Sequence, residues 1–230
     1  YSLYQDNCEQ HGTIQFAEVP SPTLGYDAPI GIYLPYGYDP DRAEPYKYVI
    51  LGHGIAGFES NWPSQGMLGN ITDNLIDQGL VEPMIVIATN NRDSDGVYFY
   101  STVNADGSRI TSIDGEPESN AASSANPSYT KQISQAQPYF MDELIPWLES
   151  HLNVSTDPKD RAFAGLSAGA MCTFSMYISN PEDFGYFYCM SGANDNPTQY
   201  DLTRPELKTP SLTFGVGIYD RLFFSQVNPT

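Results

Sequence analysis

The stretch of residues 161–180 constrains the fold more than any other part of the sequence. It begins with a short apolar run over residues 161–166, passes through GLSAG at residues 165–169, and continues with a helical pattern over residues 168–179. The two glycines permit a turn so tight that side chains at their positions would collide with neighbouring backbone. The pattern therefore predicts a strand that enters a helix directly, with Ser167 at the turn.

Strand-like and helix-like segments alternate along much of the remaining chain. Short apolar runs predict strands, and apolar residues at helical spacing predict helices. The predicted strands cover residues 31–36, 47–52, 83–88, 184–190 and 211–217, and the further helices cover residues 66–78 and 133–152. This alternation indicates a mostly parallel sheet with helices on both faces. A chain of 230 residues can bury one sizeable core, so we expect a single α/β domain over residues 1–230.

Residues 90–129 break this alternation. They are rich in Asp, Ser, Asn, Gly and Ala and show little apolar periodicity. Loops longer than about 15 residues are uncommon in compact domains and are usually functional or disordered. Two interpretations stay open, an insertion over the functional face and a disordered segment. The sequence DSDG at residues 93–96 resembles part of a calcium loop, but the other ligand positions are absent, so we predict no metal site.

The chain is strongly acidic. Its 10 Lys and Arg against 28 Asp and Glu give a formal net charge of −18, which repels phosphate backbones and anionic bilayers. No apolar run reaches the roughly 18 residues that a membrane span requires. We therefore expect neither nucleic acid nor a membrane as a partner. The 17 Tyr, 19 Gly and 18 Pro resemble the composition of sugar-binding and polysaccharide-degrading proteins.

The N-terminal residue and the cysteines bear on the compartment. The chain starts at Tyr1, so we expect that a preceding segment has been removed, and export fits this expectation. Cys8, Cys172 and Cys189 allow at most one disulfide and fit no zinc-site spacing. Apolar neighbours around Cys172 and Cys189 predict inert core thiols.

Ser167 is the candidate nucleophile. A serine hydroxyl attacks only when a base removes its proton, and the oxyanion that forms needs hydrogen-bond donors. One predicted donor is the backbone N–H of Ala168, at the start of the helix. The other is the N–H of Ile55, because HGIAG at residues 53–57 follows an earlier strand. His53 is then expected to have a structural role in that loop.

Asp220 is the candidate for the acid that orients the base, because it directly follows the last predicted strand. Two alternatives stay open. Asp220 could instead cap a following helix, which is a common role for Asp after a strand. Asp195, in the loop after the strand at residues 184–190, is the reserve candidate for the acid.

The catalytic base has no candidate in this chain. In this order of catalytic residues a histidine should follow the acid, but residues 221–230 contain none and are too few for a further helix and strand. His11 is expected in a solvated loop, and His151 at an exposed or capping position at a helix end. We therefore expect that a C-terminal strand and helix are missing and that a companion segment supplies the base. Without them, the strand at residues 211–217 would be an open sheet edge.

Longer motifs extend the pattern around Ser167. They are IYLPYGYD at residues 32–39, VILGHGIAGFESNW at 49–62, DELIPWLESHLNVSTDPKDRAFAGLSAGA at 142–170, FGYFYCMSGA at 184–193 and GVGIYD at 215–220. In these segments the chain resembles the feruloyl and acetylxylan esterases of the first carbohydrate esterase family, which are related to esterase D. The resemblance implies an α/β-hydrolase fold and a Ser-His-Asp triad that uses no metal or organic cofactor.

The resemblance also implies a substrate and assigns roles. The family hydrolyses esters that join hydroxycinnamic or acetic acid to plant cell-wall xylan. Its nucleophile falls on Ser167, its acid on Asp220, and its oxyanion donors on Ile55 and Ala168. Trp62 matches an aromatic residue that lies near the site in the family, so the resemblance implies that Trp62 contacts the substrate.

These patterns lead to a functional prediction with alternatives. We expect a secreted serine carboxylesterase that releases ferulate from arabinoxylan, with Tyr98 and Tyr100 of the insertion at the rim that holds the phenolic ring. An acetylxylan esterase, or a general hydrolase of small esters or thioesters, would share every catalytic residue. A catalytically inactive, hydrolase-like carbohydrate-binding protein is the alternative from another class, and the missing base favours it.

Overall fold

A computed structural model describes residues 2–90, 136–192 and 201–220. Its strands are β1 (Thr13–Ser21), β2 (Tyr26–Leu34), β3 (Tyr48–Gly52), β4 (Ile85–Thr89), β5 (Arg161–Leu166), β6 (Tyr186–Met190) and β7 (Ser211–Gly215). They form one sheet in the order β1-β2-β4-β3-β5-β6-β7. The pairs β1–β2 and β2–β4 are antiparallel, and the other four pairs are parallel. The predicted mostly parallel sheet is confirmed.

The helices predicted over residues 66–78, 133–152 and 168–179 lie close to their predicted positions, whereas α1 was not predicted. They are α1 (Asn61–Ser64), α2 (Leu68–Asp77), α3 (Ala136–Pro138), α4 (Ile145–His151) and α5 (Ala168–Ser179), with 3₁₀ turns at Pro158–Asp160 and Pro205–Lys208. A π-helical segment, Tyr139–Leu144, joins α3 to α4, so the single helix predicted over residues 133–152 changes its hydrogen-bond pattern midway. Pro146 lies in the first turn of α4, where a missing N–H is tolerated.

The sheet is packed on both faces. On one face, α5 packs on β3, β5 and β6, and its Ala170 and Phe174 join the larger core cluster with Phe163 of β5. On the other face, Leu68 of α2 packs in a smaller cluster with Tyr33 and other side chains of β2 to β5. Helices on both faces were predicted from the alternating pattern, and this is confirmed.

The sequence patterns do not predict β1. Its nine residues are mostly exposed, and it pairs along its whole length with β2, from Thr13 opposite Leu34 to Ser21 opposite Tyr26. The strand β2 also begins earlier than predicted, at Tyr26. Its pairing with β4 starts only at Ile30, so Pro29 lies where β2 has a single neighbour and its missing N–H is tolerated.

At the opposite end of the sheet, β7 is the last strand among the described residues, as expected for residues 211–217. Several sequence predictions fall outside the described residues: Tyr98, Tyr100 and the DSDG sequence in the insertion, and the reserve acid Asp195. In the described part of the chain, no helix has the length and apolar character that a bilayer crossing needs.

Candidate active site

Ser167 lies at the turn between β5 and α5, as the sequence predicts. Its backbone has φ +55° and ψ −111°, a conformation that costs a non-glycine residue about 1–3 kcal/mol. Two backbone hydrogen bonds hold it there. The N–H of Ser167 donates to the carbonyl oxygen of Met190 at 2.9 Å, and the N–H of Met171 donates to that of Ser167 at 3.1 Å. The half-buried side chain of Ser167 is thereby held at the carboxyl edge of the sheet.

Glycines make this turn sterically possible. A Cβ on Gly165 would lie 2.3 Å from the carbonyl carbon and oxygen of Gly169, and a Cβ on Gly169 would lie 2.7 Å from the carbonyl oxygen of Gly52. A Cβ on Gly192 would lie 2.9 Å from the carbonyl oxygen of Ser167. These separations are too short for real Cβ atoms, so only glycine lets β3, β5 and α5 approach this closely.

The loop that follows β3 runs beside the nucleophile. A Cβ on Gly54 would lie 3.5 Å from the Cβ of Ser167, an ordinary van der Waals contact. The N–H of Gly57 donates to the carbonyl oxygen of Gly54 at 3.1 Å, which closes a β-turn with Ile55 and Ala56 in its centre. Ala56 has φ +59°, as the third residue of a type II turn requires. The hydrogen bond that closes the turn does not use the N–H of Ile55.

The two predicted oxyanion donors therefore belong to adjacent segments. Ala168 is the first residue of α5, and the first N–H groups of a helix have no acceptor inside the helix and carry its partial positive charge. Ile55 lies one residue beyond Gly54, and its side chain is 52% exposed. That both N–H groups face the serine hydroxyl, where they could stabilise a tetrahedral oxyanion, stays a prediction.

His53 is buried at the base of this loop and is only 2% exposed. Its Nδ1 donates to the carbonyl oxygen of Gly54 at 2.7 Å. Its Nε2 lies 3.4 Å from Oδ1 of Asn90, the residue that directly follows β4. These contacts agree with the structural role expected for His53. The sequence gives no indication of Asn90 as a partner, because the two residues are 37 positions apart and share no motif.

His11 is more constrained than the sequence suggests. Nδ1 of this half-exposed residue lies 3.3 Å from Oδ2 of the buried Asp73, and its Nε2 lies 3.6 Å from Oδ1 of Asp6. Asp73 also accepts hydrogen bonds from the N–H of Gly12 and the hydroxyl of Tyr33. His11 lies in an exposed loop, as expected, and it also provides one of the several donors that the buried carboxylate of Asp73 needs.

His151 has the exposed position expected for it. Its ring stacks on Trp147 with 4.1 Å between the centroids, and its Nδ1 contacts the carbonyl oxygen of Trp147 at the end of α4. The contacts of His11 and His151 thus involve α2 and α4. Within the described part of the chain, the hydrogen bonds of both rings are thus made away from the turn at Ser167.

Asp220 lies in a turn that follows β7. Its N–H donates to the carbonyl oxygen of Gly217 at 2.9 Å, and its neighbours Ile218 and Tyr219 are 73% and 89% exposed. Because β5, β6 and β7 are parallel neighbours, the loops after them leave the sheet at one edge. Asp220 therefore lies at the same sheet edge as Ser167, with β6 between their strands.

Trp62 of α1 contacts the end of β3, just before the loop at residues 53–57. Its indole N–H donates to the carbonyl oxygen of Gly52, the last residue of β3, at 3.1 Å. The half-buried ring also packs against the smaller core cluster that contains Tyr33 and Leu68. A contact between Trp62 and substrate stays a prediction.

Two of the three cysteines lie in the core. Cys172 and Cys189 are buried, as expected for inert core thiols. Burial raises the pKa of both thiols, that of Cys189 to about 12, so neither is a thiolate at neutral pH. Within residues 2–90, 136–192 and 201–220, no group of three or more His, Cys, Asp or Glu side chains could hold a metal ion.

Comparisons with known proteins show which family this chain belongs to. The Esterase family model matches residues 21–199. A curated relative, the endo-1,4-beta-xylanase/feruloyl esterase of Xylanibacter ruminicola, is 30% identical over 192 residues, which are 82% of this chain. The chain spans only 23% of the length of that relative.

Two solved structures share the fold. One is a serine-to-alanine mutant of the feruloyl esterase module from Clostridium thermocellum complexed with sinapinate, with a TM-score of 0.71 and 20% identity over 100% of this chain and 75% of that chain. The other is a CE1 ferulic acid esterase from Anaeromyces mucronatus in complex with ferulic acid, with a TM-score of 0.60 and 20% identity over 83% of this chain and 61% of that chain. The predicted α/β-hydrolase fold is confirmed. Because the family model covers both the turn at Ser167 and the loop at residues 53–57, this chain belongs to the Esterase family.

Proposed function

We propose that this chain is a serine carboxylesterase that hydrolyses feruloyl esters of plant cell-wall arabinoxylan. The observation that carries the proposal is the strained backbone of Ser167, with Gly54 of the adjacent loop close enough for a Cβ at 3.5 Å from the serine Cβ. The acyl group is inferred from the relative named as a xylanase and feruloyl esterase and from the structural neighbours that hold sinapinate and ferulic acid.

In the proposed reaction, Oγ of Ser167 attacks the ester carbonyl carbon while a base takes its proton. The carbonyl oxygen becomes an oxyanion and accepts hydrogen bonds from the N–H groups of Ile55 and Ala168. The intermediate then expels the sugar alkoxide, which takes the proton from the base. Water attacks the resulting feruloyl ester of Ser167 in the same way and releases ferulate. Asp220 orients the base and stabilises its charged form.

The base is the one group of this reaction without a candidate among the three histidines. His53 donates its Nδ1 proton to a backbone carbonyl, His11 is bound to Asp73, and His151 stacks on Trp147. We propose that a histidine outside these 230 residues is the base, from a following or companion segment.

We also propose that Tyr98, Tyr100 and Trp62 contact the substrate. The protein is proposed to act outside the cell, where arabinoxylan is found.

The experiment that tests this function compares the intact protein with its Ser167→Ala variant. Hydrolysis of methyl ferulate and of feruloylated arabinoxylan is expected to fall by at least about 10⁴-fold, because the nucleophile is lost. Ser150→Ala, on the exposed end of α4, is the matched control and should leave the rate unchanged. Denaturing mass spectrometry of the wild-type protein during turnover should show a feruloyl adduct on Ser167.

Three outcomes would contradict parts of the proposal. Cleavage of acetyl esters without cleavage of feruloyl esters would leave a serine esterase but remove the feruloyl substrate. Equal activity in the wild-type protein and Ser167→Ala would remove the catalytic role of Ser167. Binding of arabinoxylan without hydrolysis by the intact protein would favour a carbohydrate-binding protein.

A further inference from the structure

We infer that His53 is a positioning residue that aims the N–H of Ile55 at the oxyanion, and that Asn90 holds it in place. This inference rests on the proposed esterase function, because it assumes that the N–H of Ile55 binds an oxyanion. It does not depend on which acyl group the enzyme prefers.

The first step concerns the direction of the proton on His53. Nδ1 lies 2.7 Å from the carbonyl oxygen of Gly54. A carbonyl oxygen can only accept, so Nδ1 must carry the proton and donate it. The ring is buried, and its other nitrogen lies 3.4 Å from Oδ1 of Asn90. Because Nε2 of the neutral ring can only accept, a hydrogen bond at this contact requires the Asn90 amide to turn so that its NH₂ group donates, or a second proton on the ring.

The second step is that the bound carbonyl and the N–H of Ile55 belong to one peptide unit. The carbonyl group of Gly54 and the amide of Ile55 are coplanar, and in a trans peptide their C=O and N–H bonds point in opposite directions. Fixing the carbonyl oxygen of Gly54 therefore fixes the direction of the Ile55 N–H. Two donors act on that oxygen, Nδ1 of His53 and the N–H of Gly57 at 3.1 Å.

The third step is that the loop is shaped around this ring. A Cβ on Gly57 would lie 2.7 Å from Nδ1 and 2.8 Å from Cγ of His53, so the backbone of Gly57 packs against the imidazole. The same loop places Gly54 against Ser167. Rotation of the His53 ring would disturb the turn at Gly57 and the peptide plane beside the nucleophile together.

Asn90 adds a link to a second segment. It directly follows β4, the neighbour of β3 in the sheet, and it is buried. The pair of His53 and Asn90 therefore joins the loops that follow two adjacent parallel strands. By this link, the position of Asn90 at the end of β4 is coupled to the orientation of the proposed oxyanion donor.

The test replaces His53 in the intact protein and uses two esters, p-nitrophenyl acetate and methyl ferulate. In His53→Asn, the side-chain amide nitrogen takes the approximate place of Nδ1 and keeps the donor to Gly54. In His53→Gln, the amide reaches toward Nε2 and the donor to Gly54 is lost. We expect kcat to fall about 10- to 100-fold in His53→Gln, with KM within about twofold, because the donor acts mainly in the transition state. His53→Asn should recover most of the rate, and His151→Gln is the matched histidine control.

A second measurement keeps the inference testable when turnover is slow. Amide hydrogen exchange of residues 54–57 should accelerate by about tenfold or more in His53→Gln, while exchange in α5 stays unchanged. Equal rates in His53→Asn and His53→Gln, or unchanged exchange in the loop, would overturn the inference. Loss of all activity in both variants, with amide exchange in the loop unchanged, would overturn the inference and instead identify His53 as the base. If the wild-type protein cleaves only the acetyl ester, the feruloyl proposal fails while the effect of His53 is still measured.

Discussion

At the nucleophile, backbone atoms of β3, β5 and α5 approach so closely that Gly165 and Gly169 leave no room for a Cβ. At the candidate acid, Gly217 has no atom within 4 Å of the place where its Cβ would be, and Ile218 and Tyr219 are largely exposed. The two regions lie at one edge of one sheet, two strands apart. We call residues 52–62 and 165–169 the nucleophile region and residues 217–220 the acid region. Close backbone packing fixes the position of the turn at Ser167, whereas the described contacts fix the position of the acid region far less.

The candidate nucleophile and the candidate acid are therefore held in position by different kinds of contact. The turn at Ser167 is held by short backbone contacts at Gly165 and Gly169, which resist change because no side chain can move aside. The loop at residues 53–57 is held by the turn bond from Gly57 to Gly54 and by the His53 side chain. Asp220 is held in the described structure by a turn bond to Gly217, and its orientation depends on further partners. We expect substitutions in the nucleophile region to affect stability and activity together, and substitutions in the acid region to affect activity alone.

The largest effect that sharpens this comparison is expected from Asp220→Asn. If Asp220 orients the base, kcat for methyl ferulate should fall by about 10³- to 10⁴-fold in the intact protein, because an amide favours the wrong tautomer of the histidine. The melting temperature should stay close to that of the wild-type protein, since the neighbours Ile218 and Tyr219 are largely exposed and the turn bond to Gly217 uses the backbone N–H of Asp220. Steady-state kinetics and thermal unfolding measure the two effects separately.

Asp201→Asn is the matched control for this prediction. Asp201 is an exposed carboxylate that accepts hydrogen bonds from Thr203, and its replacement should leave kcat unchanged. If Asp220→Asn retains activity and Asp195→Asn abolishes it, Asp195 is the acid. A large drop in melting temperature for Asp220→Asn would contradict the comparison between the two regions.

The next effect is on stability and comes from a pair of glycine substitutions. Gly165→Ala places a Cβ 2.3 Å from the backbone of Gly169, so it should destabilise the fold by about 3 kcal/mol or more, or prevent folding. Gly217→Ala enters open space and should change the free energy of unfolding by less than about 0.5 kcal/mol. Urea unfolding of both variants measures the difference. Similar stability losses in the two variants would show that the acid region is as tightly packed as the turn at Ser167.

The same contrast explains what the sequence could predict. The turn at Ser167 was predicted correctly because its glycines are required by steric contact, and such requirements are visible as a fixed spacing. The strands β3, β4 and β5 and the helix α5 were predicted to within two residues, because buried parallel strands are continuous apolar runs.

Other elements carry no such signal. The strand β1 is an edge strand with few buried side chains, so its apolar pattern is weak and its existence depends on pairing with β2. The contacts of His53 with Asn90 and of His11 with Asp73 join residues far apart in the chain, and only the fold brings them together. Each is a contact between polar side chains, which leaves no periodic pattern in the sequence.

The smallest effect tests the role of Trp62, which the sequence assigns to substrate and the structure connects to Gly52. Trp62→Phe removes the indole N–H that donates to the Gly52 carbonyl, so it should cost about 1 kcal/mol of stability and change KM for methyl ferulate by less than about twofold. Tyr219→Leu is the matched aromatic substitution in the acid region, and its 89% exposure predicts no stability change. A several-fold rise in KM for Trp62→Phe at unchanged stability would show that the indole contacts substrate. The nucleophile region would then bind the acyl or sugar group directly, and its packing would serve recognition as well as the position of Ser167.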